Sequence, residues 1–233
     1  MKFFNALKND IRFQIKYGFY FLYAFFSLIY MAVLWIMPSE YKNMTASLII
    51  LTDPAMLGIF FIGGIWLLEK REGLHRFWSI SPLRPLEYLL SKSISLAVLS
   101  TVSAELIALA GLKGRFHPVS LSLCVFWGAV VFNLIGLLVA SYARSVNHYM
   151  IIVVLPTVFL SIPPILTAFG IRHPILELFP GTALWHMIAV SLDQTENTKV
   201  WWWVNLILWL GLMLVLANRR MSTALQAEGG EGI

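Results

Sequence analysis

Six stretches of this chain are apolar over lengths close to the thickness of a bilayer, and no other feature limits the fold so strongly. An α-helix rises about 1.5 Å per residue, so roughly 20 apolar residues cross the hydrocarbon layer. Runs of this kind occupy residues 18–37, 46–68, 85–110, 121–140, 150–170 and 201–216. The chain of 233 residues is 59% hydrophobic and only 12% charged, with mean hydropathy +0.77. A soluble domain carries about 25% charged residues. The sequence therefore reads as an all-α integral membrane protein with six transmembrane helices.

The runs are punctuated where helix chemistry requires it. The first stops at Pro38-Ser39-Glu40. The second contains Thr52-Asp53-Pro54, a helix-start pattern with proline in first position, so that span begins or is broken there. Pro85, with Glu87 in the first turn, starts the third. The fifth carries Pro156 and Pro163-Pro164, whose missing amides predict a kink or a break. Trp201-Trp202-Trp203 opens the sixth as an interfacial anchor. Residues 171–200 hold two apolar pieces, 174–179 and 182–192, that are too short to span. They predict a re-entrant or interfacial hairpin turning at Pro180-Gly181.

Lysine and arginine set the orientation. With the N-terminus inside, inner segments hold twelve (Lys2, Lys8, Arg12, Lys16, Lys70, Arg71, Arg76, Arg84, Lys92, Arg144, Arg219, Arg220). Outer ones hold five: Lys42, Lys113, Arg115, Arg172 and Lys199. That asymmetry predicts N-in and C-in. The first run is long enough to span and no small-residue cleavage pattern follows it, so it reads as a span rather than a cleavable signal. Residues 1–17 form an interfacial helix: Phe3, Phe4, Leu7, Ile11 and Ile15 share one face, and Lys8, Arg12 and Lys16 another. Phe13 falls off this stripe. The terminal EGGEGI reads as flexible, and residues 1–233 form one transmembrane unit without a soluble domain.

Cys124 is the only cysteine, so an intramolecular disulfide or a cysteine-based metal site is excluded. The net charge of +5 and pI near 9.4 do not point to nucleic acid, because the basic residues are spread along membrane-facing loops.

The segment EKREGLHRFWSISPLRPLEYLLSK, residues 69–92, is the one stretch dense in charge. Helical spacing puts Glu69, Glu72 and Arg76 on one face, with Leu74, Phe77 and Trp78 on another. A Glu72–Arg76 pair is worth only about 0.2–0.5 kcal/mol, too little for a stability device. Pro82 and Pro85 would stop that helix and aim the chain into the third span. A solvated, positive inner loop accounts for the charge equally well.

This segment and the order of spans resemble the permease subunits of ABC-2 type transporters, and the small fluoroquinolone or antibiotic exporter permeases most of all. The resemblance is carried by Glu69, Arg71, Glu72 and Gly73, by Ser81-Pro82-Leu83, by Glu87-Tyr88-Leu89 and by Ser91-Lys92. Small aliphatic residues are familiar in that segment where this chain has His75, Phe77 and Trp78. The resemblance implies that residues 69–85 form a coupling segment docking on an ATP-binding subunit through Glu69, Arg71, Glu72, Gly73, Arg76, Phe77, Ser81 and Pro82. It implies a second permease, the same chain or a sister, and export of an amphipathic small molecule across a bacterial-type cell membrane. The sequence contains no GxxxxGK[ST] loop, so ATP and magnesium would sit on the partner, and this chain would bind no cofactor.

Within the spans, Glu105 is a costly intramembrane carboxylate. It is either a substrate contact or proton site, or a carboxyl bonded to Ser100, Thr101 or Ser103. Asp53 is a second pathway candidate, though a helix cap explains it as well. Glu177 and His186, nine residues apart across Pro180-Gly181, match no metal motif and read as interface positions. A non-transporting scaffold or immunity partner shares most of these features. A membrane-embedded enzyme would need a motif such as HExxH or a Ser-His grouping, which the sequence lacks.

Overall fold

The computed structural model describes residues 2–52, 56–75, 84–112, 116–193 and 198–230. Among them nine α-helices carry the fold and no strand occurs. They are α1 (Lys2–Lys16), α2 (Phe19–Ile36), α3 (Lys42–Ile50), α4 (Gly58–Arg71), α5 (Pro85–Leu112), α6 (Pro118–Ala140), α7 (Val146–Ala168), α8 (Pro180–Asp193) and α9 (Val200–Gly230). A single 3-10 turn, Leu176–Leu178, precedes α8.

Five of these, α2, α5, α6, α7 and the Val200–Thr223 part of α9, are long and apolar enough to cross a membrane. The stretch expected as the second span is instead two short helices, α3 and α4, of 9 and 14 residues. Residues 53–55, with the expected break, lie outside the described residues. The expected hairpin turn at Pro180-Gly181 is a helix start, since proline at a first position has no amide to lose. Helix α9 runs on to Gly230, through part of the tail expected to be flexible.

Local chemistry sets the boundaries. Gly18, at φ +78°, separates α1 from α2. Met37 is extended ahead of Pro38, as a residue before proline prefers. At α5, the Arg84 amide donates to Glu87 Oε2 at 2.9 Å, so Pro85 and Glu87 start the helix together. Ser145 caps α7 by accepting from the His148 amide. Helix α7 does not break at its prolines. Thr157, Ser161 and Thr167 donate back to the carbonyls of Val153, Thr157 and Pro163, one turn earlier on the same helix.

Helix α6 is the axis of the bundle and packs against α4, α5, α7, α8 and α9. Helix α4 approaches it so closely that a Cβ at Gly136 would meet the Ile59 carbonyl at 2.6 Å. One at Gly63 would fall 2.0 Å from Tyr149 Cζ of α7, and the Tyr149 hydroxyl donates to the Ile59 carbonyl.

Helix α1 does not rest on its apolar stripe. Ala6, Asp10 and Gln14 are buried against α5, while Phe4 and Ile15 are exposed. Phe13, off the stripe, packs against the core and lies 4.4 Å from the Tyr17 ring.

Candidate functional site

A four-residue rhythm of small polar side chains builds the site. On α5, Ser91 and Ser95 face α1, where Asp10 and Gln14 stand at the same spacing. Ser91 Oγ donates to Asp10 Oδ2 at 2.7 Å, and Gln14 Nε2 donates to Ser95 Oγ at 2.6 Å. The row continues onto α2, where Tyr23 meets Ser100 at 3.0 Å and Ser27 meets Ser103 at 2.6 Å. One face of α5 is thus fastened by hydroxyls to both N-terminal helices.

Charge sits at the base of this row. Lys92 of α5 is 1% exposed, and its ammonium donates to Asp10 Oδ1 at 2.7 Å and to Glu69 of α4. The second Glu69 oxygen accepts from the Tyr88 hydroxyl at 2.7 Å. Glu69 lies at the charged end of α4, beyond its apolar run. Tyr88 also lies under the ammonium and edge-on to Trp66, which covers the buried His75 ring at 3.9 Å. A buried ion pair holds only when further hydrogen bonds satisfy both charges, and here serine and tyrosine supply them. The cluster thus locks three helices from three parts of the chain.

The expected coupling residues divide. Helical spacing alone puts Glu69 on a charged outward face with Glu72; in the structure it points inward and is 2% exposed. The reason is Lys92, a cation within the third span that needs carboxylates. Arg71, Glu72 and Gly73 are exposed at the end of α4. The Glu72 and Gly73 amides close onto the Leu68 and Lys70 carbonyls, and Gly73 takes φ +73°. That turn separates Glu69 from the residues beyond Gly73. Glu72 lies 4.0 Å from Lys16 of α1, an exposed pair of little energetic weight. Arg76, Phe77, Ser81 and Pro82 lie outside the described residues, as does Asp53.

Glu105 is half-buried between α5 and α6, and Ser122 Oγ donates to its Oε1 at 2.8 Å. None of the serines and threonines expected as its partners fills that role. Glu177 and His186, read as separate interface positions, meet at 3.1 Å. The His186 ring stacks on Trp202 of α9 at 4.9 Å, and Asn205 donates to the Glu177 carbonyl.

Sequence reasoning did not single out Asp10 and Gln14. The available signal was a lone acid in a basic helix, four residues from Ala6 and from Gln14, together with an unpaired lysine inside an apolar run.

A bundle of apolar helices is clamped at one end by the buried charge of Lys92, Asp10 and Glu69. The family model for the fluoroquinolones export permease proteins matches residues 1–225. The chain belongs to this family. Fluoroquinolones export permease proteins of two Mycobacterium tuberculosis strains, CDC 1551 / Oshkosh and H37Rv, are each 27% identical to it over 192 residues. The match covers 82% of this chain and 81% of each relative. With five apolar helices of spanning length, the chain is a multi-pass membrane permease.

Proposed function

We propose that this chain is the transmembrane subunit of an ABC exporter, moving an amphipathic drug or antibiotic on ATP hydrolysed by a separate subunit. The observation that carries the reading is Lys92, which joins α1, α4 and α5 at the base of the segment 69–85. A push on that segment reaches a spanning helix through buried charge instead of through a slack loop. Arg71, Glu72 and Gly73 form the exposed part of the docking surface, with Arg76, Phe77, Ser81 and Pro82 beyond it. Glu69 serves from behind, as a positioning residue. ATP and magnesium belong to the partner, and this chain binds neither.

The substrate is of the fluoroquinolone class or similar to it, as the names of the relatives suggest. Glu105, and Asp53 more weakly, contribute to the pathway, which a second permease completes. The chain crosses six times in a bacterial-type cell membrane, N-in and C-in, as the split of basic residues favours, eleven to five once the buried Lys92 is left out. Helices α3 and α4 together make the second crossing. Residues 171–200 are re-entrant from the outer side. Trp209 Nε1 donates to the Leu178 carbonyl nine residues into α9, about 13 Å along its axis.

Co-purification from mild detergent, followed by drug-stimulated ATP hydrolysis, tests the reading. Replacing Glu72 and Gly73 together should leave insertion intact and abolish stimulation, because a side chain at Gly73 strains the left-handed turn. A variant that inserts and is stimulated like the wild type overturns the coupling role.

A further inference from the structure

At the charged end of the bundle, a cavity of about 480 Å³ opens between the end of α4 and the turn joining α6 to α7. Lys70 and Arg71 line one wall, Arg144 and Asn147 the other, and Leu67 and Val146 form its apolar side. No carboxylate is among the described lining residues. Two arginines on separate elements, Arg71 and Arg144, converge on one space of headgroup size. Glu72 is turned toward Lys16, and Arg220 lies over the Tyr142 ring.

The cavity does not end in water on all sides. From Val146 an exposed apolar row, Met150, Val154, Val158 and Ile162, climbs α7 at four-residue spacing. It covers 17 residues, about 24 Å of helix, near the reach of an extended acyl chain. A soluble acidic partner could meet the two arginines but not this row, which lies on a membrane-spanning helix.

We propose that this cavity binds the phosphate headgroup of an anionic phospholipid, with one acyl chain laid along the α7 row. Arginine and lysine suit phosphate oxygens as donors, and basic pockets between spanning helices are where such headgroups settle. Arg71 thus belongs to two neighbouring surfaces: the lipid site on one side and the docking segment on the other. The lipid assignment rests on neither ATP coupling nor substrate.

The test uses the purified full chain alone, delipidated, titrated with phosphatidylglycerol or phosphatidylcholine and read by native mass spectrometry. Phosphatidylglycerol should be retained in preference to phosphatidylcholine. Arg71→Gln with Arg144→Gln should reduce its retention about tenfold and leave phosphatidylcholine unchanged. Arg144→Lys should keep most of the binding, and Arg144→Gln alone, at an exposed position, reads the site if the double variant is poorly produced. Equal retention of the two lipids, or unchanged phosphatidylglycerol retention in the variants, overturns the proposal. So does competition by soluble glycerol 3-phosphate at the concentration where the lipid itself saturates, since the acyl row would then contribute nothing.

Discussion

The ammonium of Lys92 lies 2.7 Å from Asp10 Oδ1, across 82 residues of sequence, and holds the N-terminal helix against a spanning helix. Both groups are buried, so their attraction is little screened by salt, and removing Lys92 would leave two buried carboxylates without their cation.

Lys92→Met should therefore lower stability by about 3–5 kcal/mol, because two buried carboxylates lose their counter-ion. Adding Asp10→Asn and Glu69→Gln to Lys92→Met should recover most of the loss. Thermal unfolding in detergent, read by tryptophan fluorescence, follows both steps. A single variant as stable as the wild type would mean the cluster is not buried as described.

The glycines of α4 give a test with a built-in control. A methyl at Gly63 meets the Tyr149 ring, whereas nothing lies within 4 Å of a Cβ at Gly64. Gly63→Ala should destabilise by about 1–3 kcal/mol through overpacking, and Gly64→Ala should stay within about 0.5 kcal/mol of the wild type. Paired melting curves decide it. Equal effects at the two sites would contradict the α4–α7 packing.

The helical class and the start of α5 were legible because a bilayer demands long apolar runs and because Pro85 acts locally at its helix start. Helices α6 and α7 begin at Pro118 and Val146, ahead of the runs read from residues 121 and 150. The α3–α4 split was half legible, in Thr52-Asp53-Pro54. The inward turn of Glu69 was not. Its partner Lys92 stands 23 residues away, and period alone cannot tell a charge facing solvent from one facing another charge. The continuity of α7 was hidden for a similar reason. Prolines argue for a break, yet one helix carries all three of them from Val146 to Ala168.

Glu105 accepts from Ser122 and remains half-buried, so Glu105→Gln keeps an oxygen for that bond and should shift stability by less than about 1 kcal/mol. Drug export should respond separately. Accumulation assays with a cationic fluoroquinolone should show a severalfold loss of efflux, while Ser122→Ala alone should cost little. Unchanged efflux in Glu105→Gln would leave the carboxyl as a packing group between α5 and α6.

The far end of α8 returns to the start of α6. Ser120 and Ser191 face each other at 2.8 Å, and the His117 amide donates to the Ser191 carbonyl. A chain that dips inward after α7 and climbs back along α8 must bring these positions together; a surface hairpin over residues 171–200 need not. Ser120→Cys with Ser191→Cys, in a Cys124→Ser background, should form a disulfide under mild oxidation in native membranes. Moving the second cysteine to Ser161, on the middle of α7, should not. Cross-linking is read by the mobility shift after cleavage at a protease site introduced between the two cysteines. Absence of the Ser120–Ser191 product, with both thiols shown to be reactive in denaturant, would remove the re-entrant path.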